Sequence, residues 1–284
     1  MRSEMKAAAA IGLGAAGCAA ALAARRWRSE AEGTVDHLFS RSQSCSEPVI
    51  CPEDLAGVPA PVARYFEFVL IRGRPLIERV RVVERGRFRV GGLGAPWKPL
   101  TAVQYFVSDP PGFLWDARIR MAPFFTFQIR DSYLDGVGST RGRAGSLIPV
   151  VNSSGTAELA AGALHRYLAE SVWFPTALLP RQGLRWEPID ENRARAALTD
   201  AGVTVALDFR FGEDGAIVSA YTPGRYRDSN GSAVPTPWEC EYGDYALLNG
   251  VMIPLNGKVE WLLPEGRLPY CQIWIRKIEY VSRV

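Results

Sequence analysis

Arg166 and Glu170 stand four residues apart in the run Gly162–Pro180, GALHRYLAESVWFPTALLP. A helix there sets a guanidinium against a carboxylate on one face, with Tyr167 and Trp173 three residues either side of Glu170. A carboxylate held among aromatic rings has its pKa raised and can serve as an acid or a base. Asp190 and Arg225 are the further charged candidates for such a centre. The same spacing equally suits a structural ion pair that anchors the helix on a sheet, with Trp173, Phe174, Leu178 and Leu179 as core. His165 adjoins Arg166 but points elsewhere on the helix and is expected at the surface.

Other chemistries find less support. The five cysteines, Cys18, Cys45, Cys51, Cys240 and Cys271, lack zinc spacing, and the only histidines, His37 and His165, are far apart, so no metal is expected. Cys45 and Cys51 bracket a short loop and suit either a disulfide in an exported domain or two free thiols. Gly12-Leu13-Gly14-Ala15-Ala16-Gly17 spells GxGxxG, yet no strand precedes it and no βαβ rhythm surrounds it, so no cofactor is expected. The loop Asp135–Ser146, DGVGSTRGRAGS, is Gly-rich without a GK[ST] ending and reads as a mobile hairpin loop rather than a phosphate cradle. A net charge of +3, from 33 basic and 30 acidic residues, does not imply a nucleic-acid partner. Arg79, Arg81, Arg85, Arg87 and Arg89 alternate with apolar residues and form a solvated sheet face or one attracted to anionic headgroups.

The elements that position these residues are mostly strands. Phe113, Trp115, Ala117, Ile119 and Met121 alternate with Asp116, Arg118 and Arg120, and Phe125, Phe127 and Ile129 repeat the pattern. After the 162–180 helix the alternation resumes through Val203–Phe211, Trp238–Tyr245, Lys258–Leu263 and Pro269–Tyr280. About a dozen strands with short turns predict a mainly β fold: one large curved antiparallel sheet, half-barrel-like, with a central helix. A further helix is expected over Val62–Leu70, started by Pro59 and Pro61.

At the start, residues 7–24 carry no charge and span roughly 27 Å as a helix, close to a bilayer's apolar thickness. Residues 1–28 are expected to be a signal-anchor or transmembrane segment; a cleaved signal peptide, or lipidation at Cys18, would use the same run. Residues 29–54 read as a polar linker with a short helix near Val35–Phe39, and residues 55–284 as the β-rich domain. The expectation is a single-pass membrane protein. Three arginines after the run against Arg2 and Lys6 before it lean towards a cytoplasmic domain, while Cys45 and Cys51 lean towards export.

The segments Arg166-Tyr167-Leu168-Ala169-Glu170 and Trp173-Phe174-Pro175-Thr176-Ala177-Leu178-Leu179-Pro180, with Trp186, Asp190, Arg225-Tyr226 and Pro237-Trp238, resemble an uncharacterised family of membrane-anchored bacterial proteins over roughly residues 55–282. That resemblance implies no catalytic residue. More loosely, a sheet crossed by a helix is similar to the half-barrels of periplasmic lipoprotein carriers, which enclose acyl chains. The leading expectation is a membrane-tethered module holding a lipid or other apolar ligand against inward aromatics, among them Trp115, Phe125, Phe127, Trp173 and Trp261. Arg166, Tyr167, Glu170, Asp190 and Arg225 are the other candidate ligand-binding residues. The alternatives are an enzyme using Glu170 with Arg166, for which Asp190 and Arg225 must converge on them, and a structural or assembly protein with a filled interior.

Overall fold

The computed structural model describes residues 2–42, 51–70, 75–145, 147–229 and 231–281, with backbone alone for residues 2–17, 19, 52 and 281. The period-two alternation becomes thirteen strands in one sheet. They are β1 (Arg79–Arg89), β2 (Trp97–Val107), β3 (Gly112–Ala122), β4 (Phe125–Leu134), β5 (Val137–Ala144), β6 (Ile148–Ser154), β7 (Leu184–Asp190), β8 (Arg193–Asp200), β9 (Val203–Phe211), β10 (Ile217–Ser229), β11 (Ser232–Leu248), β12 (Val251–Leu263) and β13 (Gly266–Val281). Their order is β6-β5-β4-β3-β2-β1-β13-β12-β11-β10-β9-β8-β7, so the first and last strands pair in the middle and the sheet stays open between β6 and β7. Val80, Val82, Phe113, Trp115, Ala117 and Ile119 are buried on the concave face, as the alternation requires.

The β6–β7 connection carries the chain across that concave face. It begins as helix α3, whose start is fixed by Thr156 accepting a hydrogen bond from the Leu159 amide at 3.2 Å. The helix covers Ala157–Glu170 rather than 162–180. Beyond Glu170 the backbone tightens into short 3-10 turns at Ser171–Trp173, Pro175–Leu178 and Pro180–Gln182; Pro175 and Pro180, which lack the amide needed to continue a helix, open the last two. His165 is 7% exposed, contrary to its expected surface place, since sheet lies on both sides of the crossing helix. The Gly-rich stretch expected as a mobile loop is largely strand β5. There α3 passes so close that a Cβ on Gly138 would collide with the backbone of Leu159 and Ala160, which accounts for the glycine.

The second expected helix covers Ala60–Val69 and buries Val62, Tyr65, Phe66 and Val69. Upstream, one helix, Arg2–Ser40, takes in residues 29–40 of the expected polar linker. Its later half docks on the convex face: Leu38 packs with Val107 and Leu114, and Trp27 lies over the buried Arg130 guanidinium at 4.1 Å. The Trp27 indole donates to Asp116 Oδ1 at 3.2 Å, Arg130 donates to the Trp27 carbonyl at 2.8 Å, and Asp135 holds both His37 and Arg41. Amphipathic spacing was masked there by charges that face sheet charges rather than water. Among the described residues no helix is long and apolar enough to cross a membrane. The side chains of residues 7–17, most of the apolar run, lie outside the described residues, as does Cys45 and with it the choice between a Cys45–Cys51 disulfide and two free thiols.

Candidate functional site

Between α3 and the concave face lies a cavity of about 500 Å³. Its centre is Arg166, whose Nε donates to Glu170 Oε1 at 2.9 Å and whose Nη1 donates to Asp131 Oδ2 at 2.8 Å. The Arg166 and Glu170 side chains are 16% and 14% exposed. The guanidinium lies 4.5 Å over the Trp115 ring, and Gln104 donates to Glu170 Oε2 at 2.6 Å. One transverse row of the sheet supplies most of this group, because Val82, Gln104, Trp115 and Asp131 are successive cross-strand partners of β1 to β4. Glu84, 1% exposed, sits one row along; its Oε2 accepts from Trp115 Nε1 at 3.1 Å, and its Oε1 has no partner among the described residues.

The opposite wall is aromatic. Trp238 and Trp261 are cross-strand partners on β11 and β12, and Trp261 stacks on Tyr270 at 5.8 Å. Trp173 closes the cavity from the turn after α3, with an indole Nε1 that has no partner among the described residues. Arg225 reaches inward through a bulge: Thr222 pairs with Trp238 but Arg225 pairs with Thr236, so Pro223 and Gly224 add an extra residue that moves Arg225 onto the concave side.

Burial raises the pKa of Glu84 to about 7, with repulsion from Glu170 adding to it. Burial also raises Glu170, against the lowering pull of Arg166 and the hydrogen bond from Gln104. Burial works against the charge on Arg166, but Glu170 and Asp131 outweigh it and hold the guanidinium firmly protonated. Cys240 and Cys271 also line the cavity; burial pushes Cys240 well up and Cys271 up to about 12, which favours the neutral thiol over the nucleophilic thiolate at both. The cavity thus combines aromatic walls with one compensated ion cluster, a carboxyl that stays largely protonated below neutrality, and Arg225 on the aromatic side.

The structure brings together Trp115, Arg166, Glu170, Trp173 and Arg225. Tyr167 is buried on another side of α3, donating to the Val107 and Ser108 carbonyls at 3.2 Å each. Phe125 is 41% exposed at the start of β4 and stacks edgewise on Phe127, and neither ring lines the cavity. Asp190 ends β7 beside the exposed turn to β8, where the Asn192 amide and Arg193 keep its pKa low, so it does not converge on Glu170 and Arg225. Sequence reasoning passed over Glu84, Gln104, Asp131 and Trp238. Glu84 was within reach: it shares the inward parity of Val80 and Val82 between arginines. Asp131 and Gln104 show their role only through the register of β2 to β4. Glu239, Glu241 and Glu260 also gather, on the outward-facing side of β11, where Arg267 and Lys258 neutralise them.

Solved structures similar to this chain include the following three. A DUF1329 family protein from Desulfovibrio piger has 12% identity and a TM-score of 0.41, covering 79% of this chain and 92% of that one. A LolA superfamily protein from Nitrosomonas europaea has 11% identity and a TM-score of 0.33, covering 79% and 94%. A beta-barrel-like protein of the domain of unknown function DUF1849 from Brucella abortus has 9% identity and a TM-score of 0.23, covering 73% and 99%. No curated protein matches the chain in sequence. A family model does match it over residues 48–273, which take in the whole cavity, and the chain therefore belongs to the family of unknown function DUF6544.

Proposed function

We propose that the concave cavity binds a lipid or another ligand with an apolar chain, and that residues 7–24 tether the domain to a membrane as a single-pass segment. The observation that carries the first part is the cavity itself: about 500 Å³, within the usual size of small-molecule sites, walled by the indoles of Trp115, Trp173, Trp238 and Trp261. A structural protein has no use for that space, since unfilled apolar volume forfeits packing energy. The acid–base reading is weaker, because Asp190 stands apart and both cavity thiols are neutral. The tether reading rests on the length and lack of charge of the run.

Native mass spectrometry of the full chain, purified gently from its own host, followed by lipid extraction, tests the first part. A stoichiometric lipid is expected, and Trp173→Ala is expected to lower its occupancy severalfold. A protein that stays empty after incubation with host lipids refutes the reading. For the tether, the chain is expected to stay in the membrane pellet after alkaline carbonate washing; release into the supernatant refutes it.

A further inference from the structure

Two arginines of β10, Arg225 and Arg227, and Arg89 from the outward-facing row of β1 border the same cavity without an ion-pair partner among the described residues. Arg166 is met by Glu170 and Asp131, and Lys258 by Glu241 and Glu260. Arg89, Arg225 and Arg227 line the cavity and make no ion pair among the described residues. Arg89 lies 4.6 Å over the Trp97 ring, and the Nε atoms of Arg89 and Arg227 are buried without a hydrogen-bond partner among the described residues. Arg225 is the best placed of the three. Its guanidinium lies 4.7 Å over Trp238 and 5.3 Å over Trp261, and its Nε donates to the Gly162 carbonyl of α3 at 3.1 Å. That one bond and the two ring faces fix the plane of the fork and leave its terminal nitrogens as donors.

A half-buried cation without an ion-paired counter-ion gives up part of its hydration, and indole faces recover only part of the loss. No acidic group makes an ion pair with Arg225 among the described residues: its charge is felt at Glu170, whose pKa it helps to lower, but only across space. Glu170 and Asp131 are already engaged by Arg166, Asp228 accepts from the Gly231 amide at its exposed position, and Glu84 has its bond from Trp115. The proximity of Arg225 is felt on the neighbouring helix, where burial first and Arg225 second hold His165 neutral, down to about 4.

We infer that the cavity's ligand is an amphiphile with an anionic head, a carboxylate or a phosphate, and that Arg225, oriented by Trp238, Trp261 and the Gly162 carbonyl, receives that head while the apolar chain lies along the indole-lined wall. Planar bidentate pairing with such oxygens is what a guanidinium fork does best. The Pro223-Gly224 bulge then has a role, since without it Arg225 would project to the convex side. This inference rests on the reading that the cavity takes an apolar chain.

The test is displacement of a neutral polarity-sensitive dye, N-phenyl-1-naphthylamine, from the full chain. The competitors are hexadecanoate, hexadecyl phosphate and hexadecanol, each below its aggregation limit. One or both acids are expected to displace the dye at about tenfold lower concentration than the alcohol, as a charge-assisted hydrogen bond implies. The stronger acid identifies the head. Arg225→Gln is expected to bring the acids to the alcohol's level, and Arg225→Lys to keep part of the preference. Equal displacement by acids and alcohol overturns the head-group inference while leaving the apolar-chain reading intact. A preference that survives Arg225→Gln in a variant with unchanged circular dichroism overturns the assignment to Arg225. No displacement by any competitor overturns the apolar-chain reading and this inference with it.

Discussion

Replacing Glu84 with glutamine keeps the shape of the side chain and the acceptor for Trp115 Nε1 but removes the ability to ionise. Burial takes this carboxyl from an ordinary 4.5 to about 7 in the folded protein. A group whose folded pKa is raised binds its proton more tightly when folded, so an acid of this kind adds stability at low pH and loses it as pH rises. Below 4.5 both states are protonated. Between 4.5 and about 7 the unfolded chain has released the proton and the folded one retains it, so stability falls with pH; above about 7 it is level. The gap between the two values corresponds to about 3 kcal/mol. Urea unfolding of the wild type and Glu84→Gln, followed from pH 4.5 to 8, measures it. The variant is expected to gain about 3 kcal/mol relative to wild type across that range, with other titrating groups cancelling in the difference. A flat difference curve refutes the claim that Glu84 is held without a counter-ion. A curve of opposite slope means that Arg166 serves Glu84 rather than Glu170 and Asp131.

Gly138→Ala forces a methyl group into the backbone of α3 and is expected to cost about 1–3 kcal/mol, read as a fall in melting temperature of several degrees. Trp27→Ala uncovers Arg130 and breaks the indole bond to Asp116; about 3 kcal/mol of stability is expected to go, and hydrogen exchange over residues 27–40 to quicken, while the cavity still binds dye.

The sheet was legible because period two is local: the alternation at Phe113–Met121 says which side chains share a face without reference to any partner strand. Helix α3 was legible as a helix but not in its bounds, since Thr156 as a cap and the 3-10 turns after Glu170 depend on backbone geometry that Pro175 and Pro180 only suggest. The Arg166–Glu170 pair was found from spacing, whereas Asp131 and Gln104 join it through pairings between strands distant in sequence. Arg225 was named from its residue type, yet its inward turn depends on one extra residue in β10. Asp190 stands apart from the cavity because charge and resemblance say nothing about which end of a strand faces it. The N-terminal helix misled for a different reason: Trp27, Glu30 and His37 look solvated in sequence, and only the convex face shows what they meet.

The pairing of β1 with β13 also constrains how the chain is made. During synthesis β1 can close on β2 at once, but the strand that covers its other side, residues 266–281, leaves the ribosome only after residues 90–265. For that whole interval β1 is a strand with bare amides and carbonyls, open to pairing with any extended chain nearby. Arg79, Arg81, Arg85, Arg87 and Arg89 line it throughout, and a row of like charges repels a second copy of the same nascent strand. The arginine stripe thus guards an unfinished seam before it becomes one face of a finished sheet.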